Sequence, residues 1–382
     1  MHSPVASSNA ATGTTLRSLL RQERMLFAFL PTVALFVVFG RAWLADLSNL
    51  AWEAFVFVWL FLTIVLGAKA VVRHADRLAQ RLGEPYGTLL LTLSVASIEI
   101  MTIGVVMLTG ANNPTLARDS MFSVVMIVLN GLIGLALLLG GWRYREQEYN
   151  LRGVVSYLSV IVSLSVFSLI MPNFTRSTDG PTFSAGQEGF LIVMCLGLYA
   201  VFVGIQTTRH RAYFVLENGA EARQAESDIT DTQSILFHTG FLFGYLALVV
   251  FLAEKIAVVL DHAIEALALP TAIGGLAVAM LVLAPEALGA VQAALRNRMQ
   301  RAINILLGSV LATLALTIPA VLIIGLLHDL PIVLGLNGVE GVMLGLTLAV
   351  SMVTFSGGRT NILQGAVHLT LFLAYLMLVF WN

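Results

Sequence analysis

The sequence predicts an all-α polytopic membrane protein with about eleven transmembrane helices: one N-terminal helix followed by two inverted repeats of five. Three observations carry this expectation. Of 382 residues, 58% are hydrophobic and only 11% charged, against about 25% charged in a soluble domain, and the mean hydropathy is +0.88. Apolar stretches of about 20 residues, the length that spans a bilayer, recur along the whole chain. The basic residues also fall on alternate connections, and the starts of the spans repeat with nearly one spacing.

Taken in order, the apolar spans are 26–46, 51–72, 87–110, 120–141, 153–171, 188–208, 236–259, 271–295, 302–327, 338–356 and 361–380. The first 25 residues are polar, rich in Ser, Thr and Ala, and carry Arg17, Arg21 and Arg24. A secretory signal peptide has similar flanks, but the apolar segment here is too long and no small-x-small cleavage site closes it. Residues 1–25 therefore read as a cytoplasmic tail and 26–46 as the first membrane helix.

With the N-terminus in the cytoplasm, the inside connections hold Arg17, Arg21, Arg24, Lys69, Arg73, Arg77, Arg81, Arg143, Arg145, Arg152, Arg209, Arg211, Arg223, Arg296, Arg298, Arg301 and Arg359. The outside connections hold Arg41, Arg118, Arg176 and Lys255. Seventeen against four is a strong positive-inside asymmetry. It places the C-terminus outside, in the periplasm if the membrane is a bacterial inner membrane.

A net charge of −1 gives no reason to expect a nucleic-acid partner. The single cysteine, Cys195, rules out a disulfide framework and a thiolate metal site. The longest hydrophilic connection, 212–235, contains Glu217, Glu221, Glu226, Asp228 and Asp231. It reads as an acidic cytoplasmic linker between two halves, and its acids lack the ligand spacing of an EF-hand loop.

Setting the first helix aside, the five spans of 51–211 and the five of 236–381 start at offsets of 185, 184, 182, 185 and 173. An odd number of spans per half makes the second half enter the membrane from the opposite side. Inverted repeats are a recurring architecture of secondary transporters, with the binding site near the midplane where the repeats meet.

Each half places one lone carboxylate inside an apolar run. LTLSVASIEIMTIGVVML holds Glu99, and its counterpart AIGGLAVAMLVLAPEALGAVQAAL holds Glu286. Each Glu lies about 12–15 residues into its span, roughly 18–23 Å along a helix and so near mid-membrane. An ionisable group there costs about 3 kcal/mol on insertion scales and marks a functional site by default. Pro285 precedes Glu286 and cannot donate to the carbonyl of Leu281, and a freed carbonyl at that depth belongs near protein or a wet cavity. Ser94, Ser97 and Thr102 neighbour Glu99; Asn130 lies in the fourth span, and Asn304, Ser309 and Thr313 in the ninth. Carboxylates, carbonyls, hydroxyls and amides are the oxygen set of Ca²⁺ and Na⁺ sites. Ser and Thr in membrane helices also bond neighbouring helices, and that reading stays open for each of them.

Two carboxylates close together in low dielectric cannot both stay ionised and empty. The site then holds protons or a cation, and alternate exposure of such a site makes an exchanger. A channel more often uses symmetric rings of carbonyls or charges. A cation-coupled solute transporter would want aromatic or Arg contacts in the midplane. No H-E-x-x-H, nucleophile elbow or P-loop signature points to an intramembrane enzyme. His368, in the last span, reads as a packed or helix-bridging histidine. Glu188 and Glu340 sit at solvated span ends, and Glu254 and Lys255 read as an interfacial pair.

At this point the chain resembles the cation/proton exchangers of the Ca²⁺:cation antiporter superfamily, in particular the bacterial ChaA-type sodium/potassium/calcium–proton antiporters. The stretches that carry it are GEPYGTLLLTLSVASIEI (83–100), RDSMFSVVMIVLNGLIGL with GGWRYREQEYNL (118–151), LAPEALGAVQAALRNRMQRAINILLGS (283–309) and GRTNILQGAVHL (358–369). The resemblance implies one helix plus two inverted fives, an acidic linker, and Glu99 and Glu286 as the carriers of cation and protons. Asn130, Ser309 and Gln206 resemble positions of the family's motifs; with Ser97, Asn304 and Asn361, which stand out by residue type and depth, they are the expected secondary ligand or gating positions. Calcium-specific members of the family have Gly-Asn-Ala before each Glu, where this chain has Val95-Ala96-Ser97 and Val282-Leu283-Ala284, and a glutamine of their ninth helix is Ala312 here. That departure brings Na⁺ and K⁺ forward as substrates beside Ca²⁺. The expected partners are these cations, protons and the lipid bilayer of an inner membrane. No cofactor is expected, and a homo-oligomer stays open.

Overall fold

Apolar runs of this length leave the backbone no water to bond, so the chain satisfies its amides within helices. The computed structural model describes residues 23, 25–82, 86–109, 114–178, 180–214, 234–270 and 272–381. The N-terminal tail up to Arg21, and the acids at 217–231, lie outside the described residues.

In chain order the helices are α1 (Leu26–Leu44), α2 (Leu50–Leu82), α3 (Tyr86–Thr109), α4 (Leu116–Tyr144), α5 (Leu151–Phe174), α6 (Ala185–Arg209), α7 (Ile235–Ala266), α8 (Ala272–Leu295), α9 (Met299–His328), α10 (Gly338–Thr354) and α11 (Ile362–Trp381). A two-residue ladder, β1 (Gln147–Glu148) with β2 (Arg359–Thr360), is antiparallel and ties the α4–α5 connection to the α10–α11 connection.

Each expected apolar span coincides with one of these helices. Among the described residues, seven are long and apolar enough to cross a membrane by themselves. The helix α8 makes an eighth if it counts as one span, its halves Ala272–Ala284 and Glu286–Leu295 meeting at an angle of 55°. The break falls at Pro285, the residue with no amide to give the ladder. The apolar stretches Phe29–Leu44, Ala96–Leu108 and Gly338–Thr354 are shorter. Length and apolarity alone thus support seven or eight of the expected eleven crossings. The helix α2 also continues past its expected apolar run to Leu82, carrying Arg73, Arg77 and Arg81 on an extension the hydropathy did not include.

Matching elements recur across the two halves. The helices α2 and α7 have 33 and 32 residues, and α3 and α8 have 24 each. Both α4 and α9 contain a π-helical turn midway, Ile127–Leu132 and Thr313–Thr317. A π turn inserts one residue into the i→i−4 ladder and recurs at functional sites.

The apolar interior has two principal parts. One is built mainly from α4, α5, α6, α8 and α9 with α10 and α11, around residues such as Met126, Leu129, Tyr157, Leu307 and Leu344. The other joins α1, α2 and α7 through Phe29, Leu60, Ile64, Tyr245 and Val249. The helices α3 and α8 lie at the seam: Ile103, Val278 and Leu283 pack into the first part, and Ile98, Leu281 and Val282 into the second. Close approach of α4 and α11 depends on glycines. A Cβ on Gly365 would meet Leu138 N at 2.5 Å, and one on Gly134 would meet Leu369 N at 2.9 Å.

At one end of the α2–α7 pair, Glu23, just ahead of α1, is buried against both helices. Its Oε2 accepts from Arg73, from Tyr245 OH at 3.0 Å and faces His74 Nε2 at 3.3 Å, while His74 Nδ1 meets His238 Nδ1 at 3.0 Å. Glu254 and Lys255 pair at 2.7 Å as expected.

Candidate cation-binding site

The helices α3 and α8 bring Glu99 and Glu286 to the seam between the two apolar parts. Glu99 is 4% exposed and Glu286 is half-buried; the two carboxylates lie within electrostatic reach of each other. The helix α9 serves both. Ser309 Oγ donates to Glu286 Oε2, and Thr313 Oγ1 donates to Glu99 Oε2 at 2.7 Å. Residues four apart share a helix face, so a single turn of α9 contacts both acids. Thr317, one turn further, approaches Glu99 as well.

Not all of this polar group is satisfied by the protein. Glu99 Oε1, Thr102 Oγ1 and Thr317 Oγ1 are buried without a hydrogen-bond partner of proper geometry. Buried polar atoms are nearly always paired, and oxygens left open in one place match the needs of a hard cation or a proton. Among the described residues no cluster of three or more His, Cys, Asp or Glu forms a metal centre. Among the described residues, the side-chain oxygens at the seam come from two carboxylates and from hydroxyls, a set suited to Na⁺, K⁺ or Ca²⁺ rather than to a soft metal.

The other sequence-predicted residues lie elsewhere or turn away. Ser97 Oγ donates to the Leu93 carbonyl of its own helix. Asn130, fully buried in the π turn of α4, donates through Nδ2 to Thr347 Oγ1 at 2.8 Å. Asn304 donates to the Phe214 carbonyl and accepts from Gln300, anchoring the turn after α6. Gln206 donates to Tyr157 OH at 3.1 Å. Asn361 exchanges hydrogen bonds with Gln364 at the start of α11, an N-terminal cap. Of the candidate set, only Glu99, Glu286 and Ser309 are brought together by these contacts. Thr313 was legible as a lining hydroxyl but not as a partner of Glu99, and Thr317 was not singled out. The signal for both is the spacing Ser309-x₃-Thr313-x₃-Thr317, a hydroxyl stripe along one helix face.

Comparison with known proteins agrees with this architecture. The sequence pattern of the family described as "Sodium/calcium exchanger protein" matches residues 52–208 and again 237–381. The sodium-potassium/proton antiporter ChaA of Escherichia coli (strain K12) is 40% identical over 324 residues, covering 83% of this chain and 86% of that protein. The structure of native YfkE superposes with a TM-score of 0.70 at 20% identity, covering 94% of this chain and 100% of that one. A crystal structure of the H⁺/Ca²⁺ exchanger CAX also gives a TM-score of 0.70, at 14% identity, over 95% of this chain and 89% of that one. The protein is a multi-pass membrane protein, and its chain belongs to the sodium/calcium exchanger family.

Proposed function

We propose that this protein is a secondary active antiporter that exchanges a metal cation, Ca²⁺ and/or Na⁺ or K⁺, for protons by alternating access. The observation that supports it most directly is the pair Glu99 and Glu286, at the seam of two apolar bodies and bracketed by Ser309 and Thr313. Burial and mutual repulsion disfavour two empty carboxylates, so a cation and protons compete for the same oxygens. Relative movement of the two bodies about the seam would open that site to one side at a time. The similarity to ChaA supports Na⁺ and K⁺ as substrates, and the likeness in fold to YfkE and CAX is consistent with Ca²⁺. Thr102 and Thr317 join the ligand set in this reading. Asn130, Gln206, Asn304 and Asn361 act from outside it, through helix anchoring. The reading needs no cofactor and no enzymatic step, and it places the chain in an inner membrane with a cytoplasmic N-terminus and a periplasmic C-terminus.

The test is proton flux from acid-loaded inside-out vesicles on addition of Ca²⁺, Na⁺ or K⁺. Cation-evoked alkalinisation in the wild type, abolished by Glu99→Gln and by Glu286→Gln, is the expected result. No response to any cation, or full activity of both variants, would sink the proposal.

A further inference from the structure

His368 is fully buried in α11, and the exchange reading above gives it no part. Its ring lies between two polar side chains. Nδ1 faces Asn130 Oδ1 at 3.4 Å, and Nε2 faces Thr354 Oγ1 at 3.0 Å. The main-chain carbonyl of Leu129 lies against the same ring. Leu129 and Asn130 are the central residues of the π turn in α4, where the regular helical hydrogen bonds are displaced and carbonyls need other partners.

The directions of these bonds follow from the donors available. Asn130 Nδ2 donates to Thr347 Oγ1, whose hydroxyl lies 3.6 Å from Met126 Sδ. The amide oxygen of Asn130 is therefore the group that faces the imidazole, and Nδ1 must carry the hydrogen. Nε2 is then the acceptor and Thr354 the donor. The result is one directed chain from α10, through α11, to the π turn and back to α10. Every member is buried: Thr347, Asn130 and His368 are each 0% exposed and Thr354 is 4% exposed.

The turn so held adjoins the helix that carries Glu286. The π turn of α4 packs on α8, the helix of Glu286, just as the π turn of α9 packs on α3, the helix of Glu99. In the second half the π turn contributes Thr313 directly to Glu99. In the first half the matching turn is drawn the other way, by Thr347 and His368.

We propose that His368 is a positioning residue for cation binding: its Nδ1–H fixes the Asn130 amide and the register of the Ile127–Leu132 turn against the Glu286 helix. It acts through Asn130 and does not itself touch the cation. The inference rests on the antiport reading. It goes beyond that reading by assigning a role in cation affinity to a histidine on the last helix.

The two nitrogens allow a discriminating experiment, because asparagine can place a donor near the Nδ1 position and glutamine a group near Nε2. The measurement is cation-evoked proton flux in inside-out vesicles as a function of cation concentration, with membrane abundance determined for each variant. His368→Gln is expected to raise the cation KM about fivefold, the weight of one buried hydrogen bond, with the maximal rate within about twofold. His368→Asn is expected to restore the wild-type KM. If the two variants behave alike, or if the maximal rate falls with KM unchanged, the proposal is overturned. Should His368→Gln fail to accumulate, Thr347→Val removes the other anchor of Asn130, and an unchanged KM in that variant overturns the proposal as well. A wild-type protein that shows no cation-evoked flux would instead refute the antiport reading itself.

Discussion

Ser309 and Thr313, one turn apart on α9, hydrogen-bond different carboxylates: Ser309 reaches Glu286 and Thr313 reaches Glu99. The two acids come from opposite halves of the chain and have a common support in one helix face. A shift or rotation of α9 would alter both contacts together. This coupling gives the two glutamates a physical reason to bind and release as a unit.

The first prediction follows from that support. Thr313→Val keeps the shape of the side chain and removes the donor to Glu99. Hydrogen bonds to charged groups contribute about 1.5–3 kcal/mol, so the concentration of cation at half-maximal flux should rise about tenfold. Thr313→Ser retains the hydroxyl and should stay near wild type. Equal activity of the Val and Ser variants would mean the hydroxyl has no part in binding.

Replacing either carboxylate by its amide should leave the fold intact. Gln has the shape of Glu and removes a group whose charge is costly to bury. The thermal unfolding temperature of Glu99→Gln and Glu286→Gln in detergent should therefore equal or exceed that of wild type, while exchange is lost. A drop of several degrees in both would assign the glutamates to structure instead of transport.

The α4–α11 contact makes a packing prediction. Gly365 has the main-chain nitrogen of Leu138 at 2.5 Å and its Cα at 2.9 Å from where a Cβ would stand, whereas Gly197 on α6 has nothing within 4 Å. Gly365→Leu should destabilise by about 2 kcal/mol or more through overpacking. Gly197→Ala should be within about 0.5 kcal/mol of wild type. Thermal unfolding of the two variants side by side decides this.

Glu23 supplies a pH dependence outside the membrane-spanning segments. Burial pushes its carboxyl upward, but the His74 hydrogen bond and the charge of Arg73 outweigh that and hold it below the usual 4.5. A carboxyl depressed by folding contributes stability that is present in full above its unfolded value. That stability is lost as pH falls through the folded value. The tie between the start of α1 and the α2–α7 pair should therefore persist through neutral pH and weaken only in acid below the ordinary carboxylate range. Unfolding temperature measured between pH 7 and pH 3.5 should show this loss in wild type and not in Glu23→Gln. Identical acid profiles would remove Glu23 from the account.

Much of the architecture was legible in sequence because insertion into a bilayer leaves a strong one-dimensional record. Apolar runs marked where each helix lies, and length with apolarity qualified seven or eight of them as crossings. The lone Glu99 and Glu286 stood out because an ionisable group in such a run is expensive. Helix α2 ran further than its hydropathy because its last turns carry Arg73, Arg77 and Arg81, and apolar length cannot register a charged helical extension. The role of Thr313 was hidden for a different reason. Hydroxyls are frequent in membrane helices, and most of them bond their own backbone, as Ser97 does to Leu93.

The sequence by itself determined the membrane class, the position of each helix, the matched pair of glutamates within apolar runs and, through its motifs, the family. These are properties of composition and of spacing along one chain, and the bilayer enforces them locally. The tertiary structure alone decided which oxygens meet. It joined α9 to both glutamates, sent the amides of Asn304, Gln206 and Asn361 to helix ends and neighbouring turns, and tied Asn130 to Thr347 and His368. Those outcomes depend on how helices rotate and cross when two halves pack. Crossing geometry is set by close contacts such as Gly134 against Leu369 and by π turns that shift a helix face, and neither is written in the period of the residues.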